Sequence, residues 1–283
     1  MKDILQMIES SQQTFSKRQK LIAKYILENY DKAAFITAAR MGQVIGVSES
    51  TVVRFAYTMG FEGYPEFQKQ LQEVIRSKLT SVQRIALTRD IDKNDVGHTV
   101  MKSDMQNIRA SMELFDYAAF SRAVEMILGA KTVYILGMRS STLLATFLGY
   151  YLDFVLGNVR TVVAGMHEIA DQLVRVSASD VLIGISFPRY SKRTVEGIEY
   201  ARAKNCKIIA ITDAHTAPVA RLADECLIAR SDMASFADSL VAPLSLINAL
   251  IVSIGQKKQE DASDKLVQLE SIWDKQEVYL DKN

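Results

Sequence analysis

Two stretches of this 283-residue chain gather serine, threonine and arginine in a pattern able to hold an anion. The first, Gly137-Met138-Arg139-Ser140-Ser141-Thr142, follows the apolar run TVYILG, and the second, Ser186-Phe187-Pro188-Arg189-Tyr190-Ser191-Lys192-Arg193-Thr194, extends the apolar run VLIGISF. Hydroxyls and free backbone N–H groups at a helix start, helped by the helix dipole, bind phosphate without a dedicated motif. Ser and Thr are also the commonest caps, so either cluster alone reads as plain capping. Their occurrence at two strand ends, with Arg139, Arg189, Lys192 and Arg193 nearby, points the pair toward a phosphate site.

A different chemistry is laid out near the N-terminus. Between 48 and 60, Val52, Phe55, Ala56 and Met59 form an apolar stripe. Opposite it stand Glu49, Ser50, Thr51, Arg54 and Tyr57 or Thr58. Arg54 can fork onto guanine or phosphate, and the hydroxyls of Ser50 and Thr51 can bond bases or backbone. Such a face suits DNA, although a three-helix bundle with a solvated polar face has the same pattern.

Other chemistries lack support. Cys206 and Cys226 lie in or beside apolar runs, where cysteine behaves as a small buried hydrophobe and not as half of a disulfide. His98, His167 and His215 have no metal-ligand spacing, and none joins a nucleophile motif. No metal and no cofactor are expected. A proton-abstracting base would have to be His167 or Glu168, after the second strand, and a surface or capping role suits them better.

These residues need elements to position them. The segment 17–30 places Leu21, Ile22, Tyr25 and Ile26 at helical spacing, with Ser16 as cap. A short helix after Thr37 ends near Val44, Gly46 provides a positive-φ turn, and Ser48 caps the helix that Gly60 ends. Helix, glycine turn and capped helix make the helix-turn-helix pattern, whose second helix presents its first residues to the major groove. Phe61 and Tyr64, among turn residues, are core anchors, and Pro65 opens a helix through Phe67, Leu71, Val74 and Ile75. Periodicity fades over 79–97, the expected linker. It returns over 98–114, where Val100, Met101, Met105, Ile108 and Met112 share a side that should pack on the second domain or a partner subunit.

Farther on, strands 132–137, 160–164, 181–187, 207–212 and 225–229 alternate with helix-length segments, which implies a parallel sheet covered on both faces. Ligands of such sheets bind beyond the carboxyl ends of the strands, near the point where strand order reverses. Leu266, Leu269, Ile272 and Trp273 suggest a docked C-terminal helix. The fold class is therefore α/β: an all-α helix-turn-helix domain over 1–78, a linker over 79–97, and a sheet domain with flanking helices over 98–283.

Composition agrees. The chain is 48% apolar and 24% charged, ordinary for a folded soluble protein, and no run approaches the ~20 apolar residues of a membrane span. Residues 1–10 lack the features of an export signal, so the expected location is the cytoplasm. Residues 1–80 carry 11 Lys or Arg against 8 Asp or Glu, a mildly basic balance beside +1 for the whole chain.

The run VSESTVVRFAYTMGFEGYPEFQKQL, with FSKRQKLIAKYILENY upstream, resembles the N-terminal domain of the RpiR family of regulators. That resemblance puts Ser48, Ser50, Thr51 and Arg54 on the recognition helix; helical spacing adds Tyr57 to its exposed face. Residues 115–257 resemble the sugar isomerase (SIS) domain, through ILGMRSS, the second serine cluster, and AKNCKIIAITD followed by PVARLAD. The resemblance implies a phosphorylated sugar or amino sugar bound at Ser140, Ser141, Ser186, Ser191 and Thr194, to which the charges of Arg139 and Arg189 are added. It also implies a homodimer or a dimer of dimers, acting on a double-stranded DNA operator without a membrane. The second loop departs from the usual Ser-x-Ser-Gly-x-Thr: Arg189 either binds phosphate or blocks the pocket. The His-Gly-Asp segment of related isomerases is replaced by His167-Glu168-Ile169-Ala170-Asp171, so binding without turnover is expected. An isomerase with an accessory helical domain is the runner-up, and a module that does not bind DNA a third reading.

Overall fold

Alternation of apolar side chains within β1 (Val133–Gly137) divides the second part of the molecule into two cores. Val133 and Ile135 face one way and Tyr134 and Leu136 the other, all buried. A strand apolar on both sides has to be covered on both sides. The computed structural model describes residues 4–78, 80–86, 94–164, 168–233 and 237–279, and the chain forms two units, Met1–Arg89 and Asp90–Asn283. No helix among the described residues is long and apolar enough to cross a membrane.

The first unit is helical: α1 (Ile4–Ser11), α2 (Lys17–Glu28), α3 (Tyr30–Ala33), α4 (Ala38–Ile45), α5 (Glu49–Thr58), α6 (Tyr64–Lys78) and α7 (Ser81–Ala86). Ser16 and Gln19 cap α2 reciprocally, Gln19 Oε1 accepting from the Ser16 N–H at 3.0 Å. Gly46 ends α4 at φ 79°, a conformation that strains any residue with a Cβ. The turn also requires Gly42, where a Cβ would lie 2.7 Å from the Val47 carbonyl oxygen. The ring of Phe55 meets Phe15 at 5.2 Å and Phe67 at 5.8 Å, both edge-on. Tyr64 is buried with its hydroxyl donating to the Ile36 carbonyl at 2.7 Å, and Phe61 stacks edge-on to Phe67, so both anchor the core as expected.

One helix expectation needs correction here, and one helix has no counterpart among the expectations. Leu21 is half exposed, because Ile22, Ala23 and Ile26 already fill the inner face of α2. α1, which buries Ile4, Leu5 and Ile8, was not anticipated.

The second unit runs α8 (Val96–Glu113), α9 (Tyr117–Gly129), β1, α10 (Ser141–Leu156), β2 (Val159–Val162), α11 (Ile169–Leu173), β3 (Val181–Ile185), α12 (Lys192–Ala203), β4 (Lys207–Thr212), a 3₁₀ turn (Ala220–Leu222), β5 (Glu225–Ile228), α13 (Val241–Lys257) and α14 (Gln259–Lys275). All five strands are parallel, in the order β2-β1-β3-β4-β5. Helices α9, α10 and α13 cover one face and α11 and α12 the other. The strands fall on the five apolar runs: β4 has the expected bounds, β1, β3 and β5 are a residue or two shorter, and β2 both starts one residue and ends two residues earlier.

Of the two partners expected for the methionines of α8, the second domain is not the one that covers them. Met101, Met105 and Met112 are about 70% exposed within this chain, and the residue that α8 buries is Asn107. Polar contacts tie the helix to the segment after β5: Asn107 Nδ2 donates to the Asp232 carbonyl at 2.8 Å, and the Asp232 N–H returns to Asn107 Oδ1 at 3.1 Å. On α14, Trp273 meets Phe154 of α10 edge-on at 6.4 Å, while Leu266 and Ile272 stay exposed.

Candidate functional site

Strand order reverses at β1: the chain steps out to β2 on one side and returns to β3 on the other. In parallel sheets this is where the loops diverge and a crevice opens beyond the carboxyl ends. Gly137 and Ile185 are register partners, so the two hydroxyl-rich loops leave the sheet side by side. Gly137 lets α10 start close over β1, since a Cβ there would lie 2.5 Å from the Ser141 carbonyl oxygen.

The two loops share an unusual backbone feature. Arg139 at φ 59° and Arg189 at φ 65° occupy the left-handed region, which bulky residues rarely adopt. Both are exposed. Strain of this kind persists where the surroundings over-determine it and concentrates at ligand sites.

The hydroxyls divide by role. Ser140 precedes α10 but makes no cap bond; its Oγ donates to Asp238 Oδ2 at 3.2 Å. Ser141 is buried in the first turn of α10, and the Thr142 hydroxyl donates to the Gly137 carbonyl at 2.8 Å. In the second loop Ser186 is buried and its N–H donates to the Ile211 carbonyl at 3.1 Å. Ser191 caps α12, accepting from the Thr194 N–H at 3.4 Å. Helix α12 starts at Lys192, which places Thr194 in its first turn. Thr194 is fully buried, and its Oγ1 has no hydrogen-bond partner among the described residues.

The pattern of residues missed Tyr190 and Asp213. Tyr190 donates from its hydroxyl to Asp213 Oδ1 at 2.8 Å, and the Thr212 hydroxyl reaches the same oxygen at 3.2 Å, so the loop after β3 is tied to the end of β4. Burial pushes the Asp213 carboxyl above the usual carboxylate range, against the pull of these hydrogen bonds. The Asp that closes the β4 run was its only trace in the sequence.

Of the two base candidates, His167 lies outside the described residues. Glu168 is the N-cap residue of α11; its N–H donates to Asp171 Oδ2 at 3.2 Å, and its carboxylate faces Arg193 at 3.7 Å. Both thiols are free, and burial pushes Cys206 up to about 12 and Cys226 up to about 11.

On α5 the residues expected at DNA part ways. Ser48, Ser50, Arg54 and Tyr57 are exposed, Tyr57 by 57%. Arg54 Nε donates to the Ser50 carbonyl at 3.2 Å, laying the guanidinium back along the helix toward its first turn. Thr51 is buried, which corrects its place on the outer face: it lies one turn before Phe55 and shares its side of the helix. Ser48 occupies the N-cap position without a cap bond, its hydroxyl being shared with Ser50 at 3.0 Å and Thr51 at 2.8 Å.

Residues 2–78 match the family model of the rpiR-family helix-turn-helix domain, and residues 126–253 match that of the SIS domain. The chain belongs to the RpiR family of transcriptional regulators. It is 26% identical over 230 residues to the HTH-type transcriptional regulator HexR of Pseudomonas aeruginosa, covering 80% of this chain and 79% of that one. The sugar isomerase domain of an RpiR transcription factor from Sphaerobacter thermophilus superposes with a TM-score of 0.60 at 26% identity, spanning 62% of this chain and 99% of that domain. Vibrio vulnificus NanR, solved with ManNAc-6P, shares the fold at TM-score 0.58 and 23% identity over 95% of this chain and 97% of its own.

Proposed function

We propose that this RpiR-family regulator binds a phosphorylated sugar or amino sugar in the crevice between the β1 and β3 loops, and that occupancy alters its affinity for operator DNA. The observation that supports the reading best is the meeting of two hydroxyl-rich helix starts and two left-handed arginines at the point of strand reversal. Helix starts supply N–H donors and a favourable dipole, and guanidinium adds fixed charge. In this reading Ser140, Ser141, Ser186, Ser191 and Thr194 surround the phosphate, with Arg139 and Arg189 at the rim.

The DNA surface in this reading is the outer face of α5: Ser48, Ser50, Arg54 and Tyr57. Two copies in a dimer present two such helices to a palindromic site. The site binds without turning its ligand over, since Glu168 faces Arg193 and heads α11. The protein acts in the cytoplasm.

A panel of phosphosugars that includes ManNAc-6P, run as a thermal-shift screen, tests the pocket, because a ligand of the native state raises the melting temperature by mass action. Selection of duplexes from a random pool tests the reader. Turnover of a panel member at a metabolic rate, or no retention of duplex at moderate salt, would sink the proposal.

A further inference from the structure

Helix α8 is the first described element of the second unit. Besides the Asn107 pair, the Ser111 hydroxyl accepts from the Arg230 N–H at 2.8 Å, and the Ser239 hydroxyl donates to Asp104 Oδ1 at 2.6 Å. The residue beside Ser239 reaches the opposite way, for it is Asp238 that accepts from Ser140 at the end of β1. Ser140, Asp238, Ser239 and Asp104 thus make a continuous polar line from the candidate anion site to α8. Two adjacent backbone positions form its middle.

We propose that Asp238 relays occupancy of this site to α8. The inference rests on the phosphosugar reading of the crevice. One serine hydroxyl has one proton to donate, and an ionised carboxylate and a phosphate are both acceptors for it. Two anions within hydrogen-bond reach of the same hydroxyl also repel. A phosphate that takes the Ser140 hydroxyl therefore displaces Asp238, and Ser239, its neighbour in the chain, carries the displacement to Asp104. Binding shifts a conformational equilibrium only through contacts that differ between the two states, and here the Ser140 contact is the one that differs.

Hydrogen exchange of the full-length protein, with inorganic phosphate and separately with ManNAc-6P as probes, reads both ends of the line. In the natural protein, protection of residues 186–194 should be accompanied by a change of exchange in residues 96–113. Ser239→Ala and, independently, Asp104→Asn should keep the first change and lose the second. Asp238→Asn removes the competing charge and should bind inorganic phosphate about tenfold more tightly. The relay is overturned if 96–113 responds equally in both uncoupled variants, if it never responds while 186–194 is protected, or if Asp238→Asn binds phosphate no better. Absence of protection at 186–194 with either probe would instead remove the reading of the site itself, and the relay with it.

Discussion

The hydroxyls of Ser48 and Thr51 lie 2.8 Å apart at the start of α5, one exposed and one buried. Ser48 stands at the N-cap position, and its hydroxyl bonds Thr51 and Ser50 instead of capping the helix. The pair joins the first turn of α5 to the preceding turn, which places the buried Thr51 hydroxyl where it supports the fold. Thr51→Val should lower the stability of the protein by about 1 kcal/mol, the usual worth of one hydrogen bond. Its direct contribution to sequence readout should be nil. Chemical denaturation, with duplex binding measured under folded conditions, separates the two; a Thr51 variant of full stability that binds duplex poorly would return the residue to the outer face.

Arg54 is the converse case. Its guanidinium is exposed and donates to the helix's own Ser50 carbonyl. Arg54→Ala should change stability by less than about 0.5 kcal/mol, as for surface substitutions generally. If Arg54 meets a base edge, specific duplex binding should weaken by about 1 to 3 kcal/mol, and specificity at one position should relax. A loss uniform across sequences, with a shallower salt slope, would mark a phosphate contact instead.

The contrast between Thr51 and Arg54 shows how sequence patterns succeed and fail here. The strands were legible because Val, Ile and Leu fill both faces of β1 and β3, and a parallel sheet follows from that alone. The loops were legible because Gly, Ser and Arg cluster where those runs stop. Thr51 was misread because its polarity outweighed its place one turn before Phe55. The methionines of α8 show the opposite case: apolar residues at helical spacing imply a buried face, yet within this chain Asn107 is buried and they are not. Tyr190 with Asp213, and Ser140 with Asp238, pair across 23 and 98 positions. No local periodicity encodes such contacts.

The serine pair of the second loop can be tested against its capping role. Ser186→Ala with Ser191→Ala should abolish the thermal shift given by any phosphosugar that stabilises the natural protein. Because Ser191 also caps α12, the variant should lose about 0.5 to 2 kcal/mol of stability without ligand. Duplex binding at low temperature should survive. A variant that loses stability yet keeps its full ligand shift would reduce the two residues to structural serines.

The thiols should be inert while the protein is folded. With Cys206 pushed up to about 12 and Cys226 up to about 11 by burial, little thiolate exists at neutral pH. Alkylation by iodoacetamide should run at least about 100-fold slower than for a free cysteine, whose thiol titrates near 8.5. Unfolding in denaturant should restore the ordinary rate. Fast modification of either cysteine in the native protein would show that its strand end opens.

Asp213 carries a pH dependence of definite sign. Its carboxyl is raised by burial, so the folded protein holds that proton more readily than the unfolded chain. A carboxyl raised in this way adds stability as the pH falls through its folded value toward the ordinary aspartate value of about 3.9, and the contribution is lost as the pH rises again. Asp213→Asn keeps an acceptor for the Tyr190 hydroxyl and removes the titration. Measured side by side, the stability difference between the natural protein and the Asn variant should move in favour of the natural protein as the medium is acidified. A difference moving the other way would mean that Asp213 is held ionised by its hydrogen bonds and by Arg230, and that burial is the lesser influence at the end of β4.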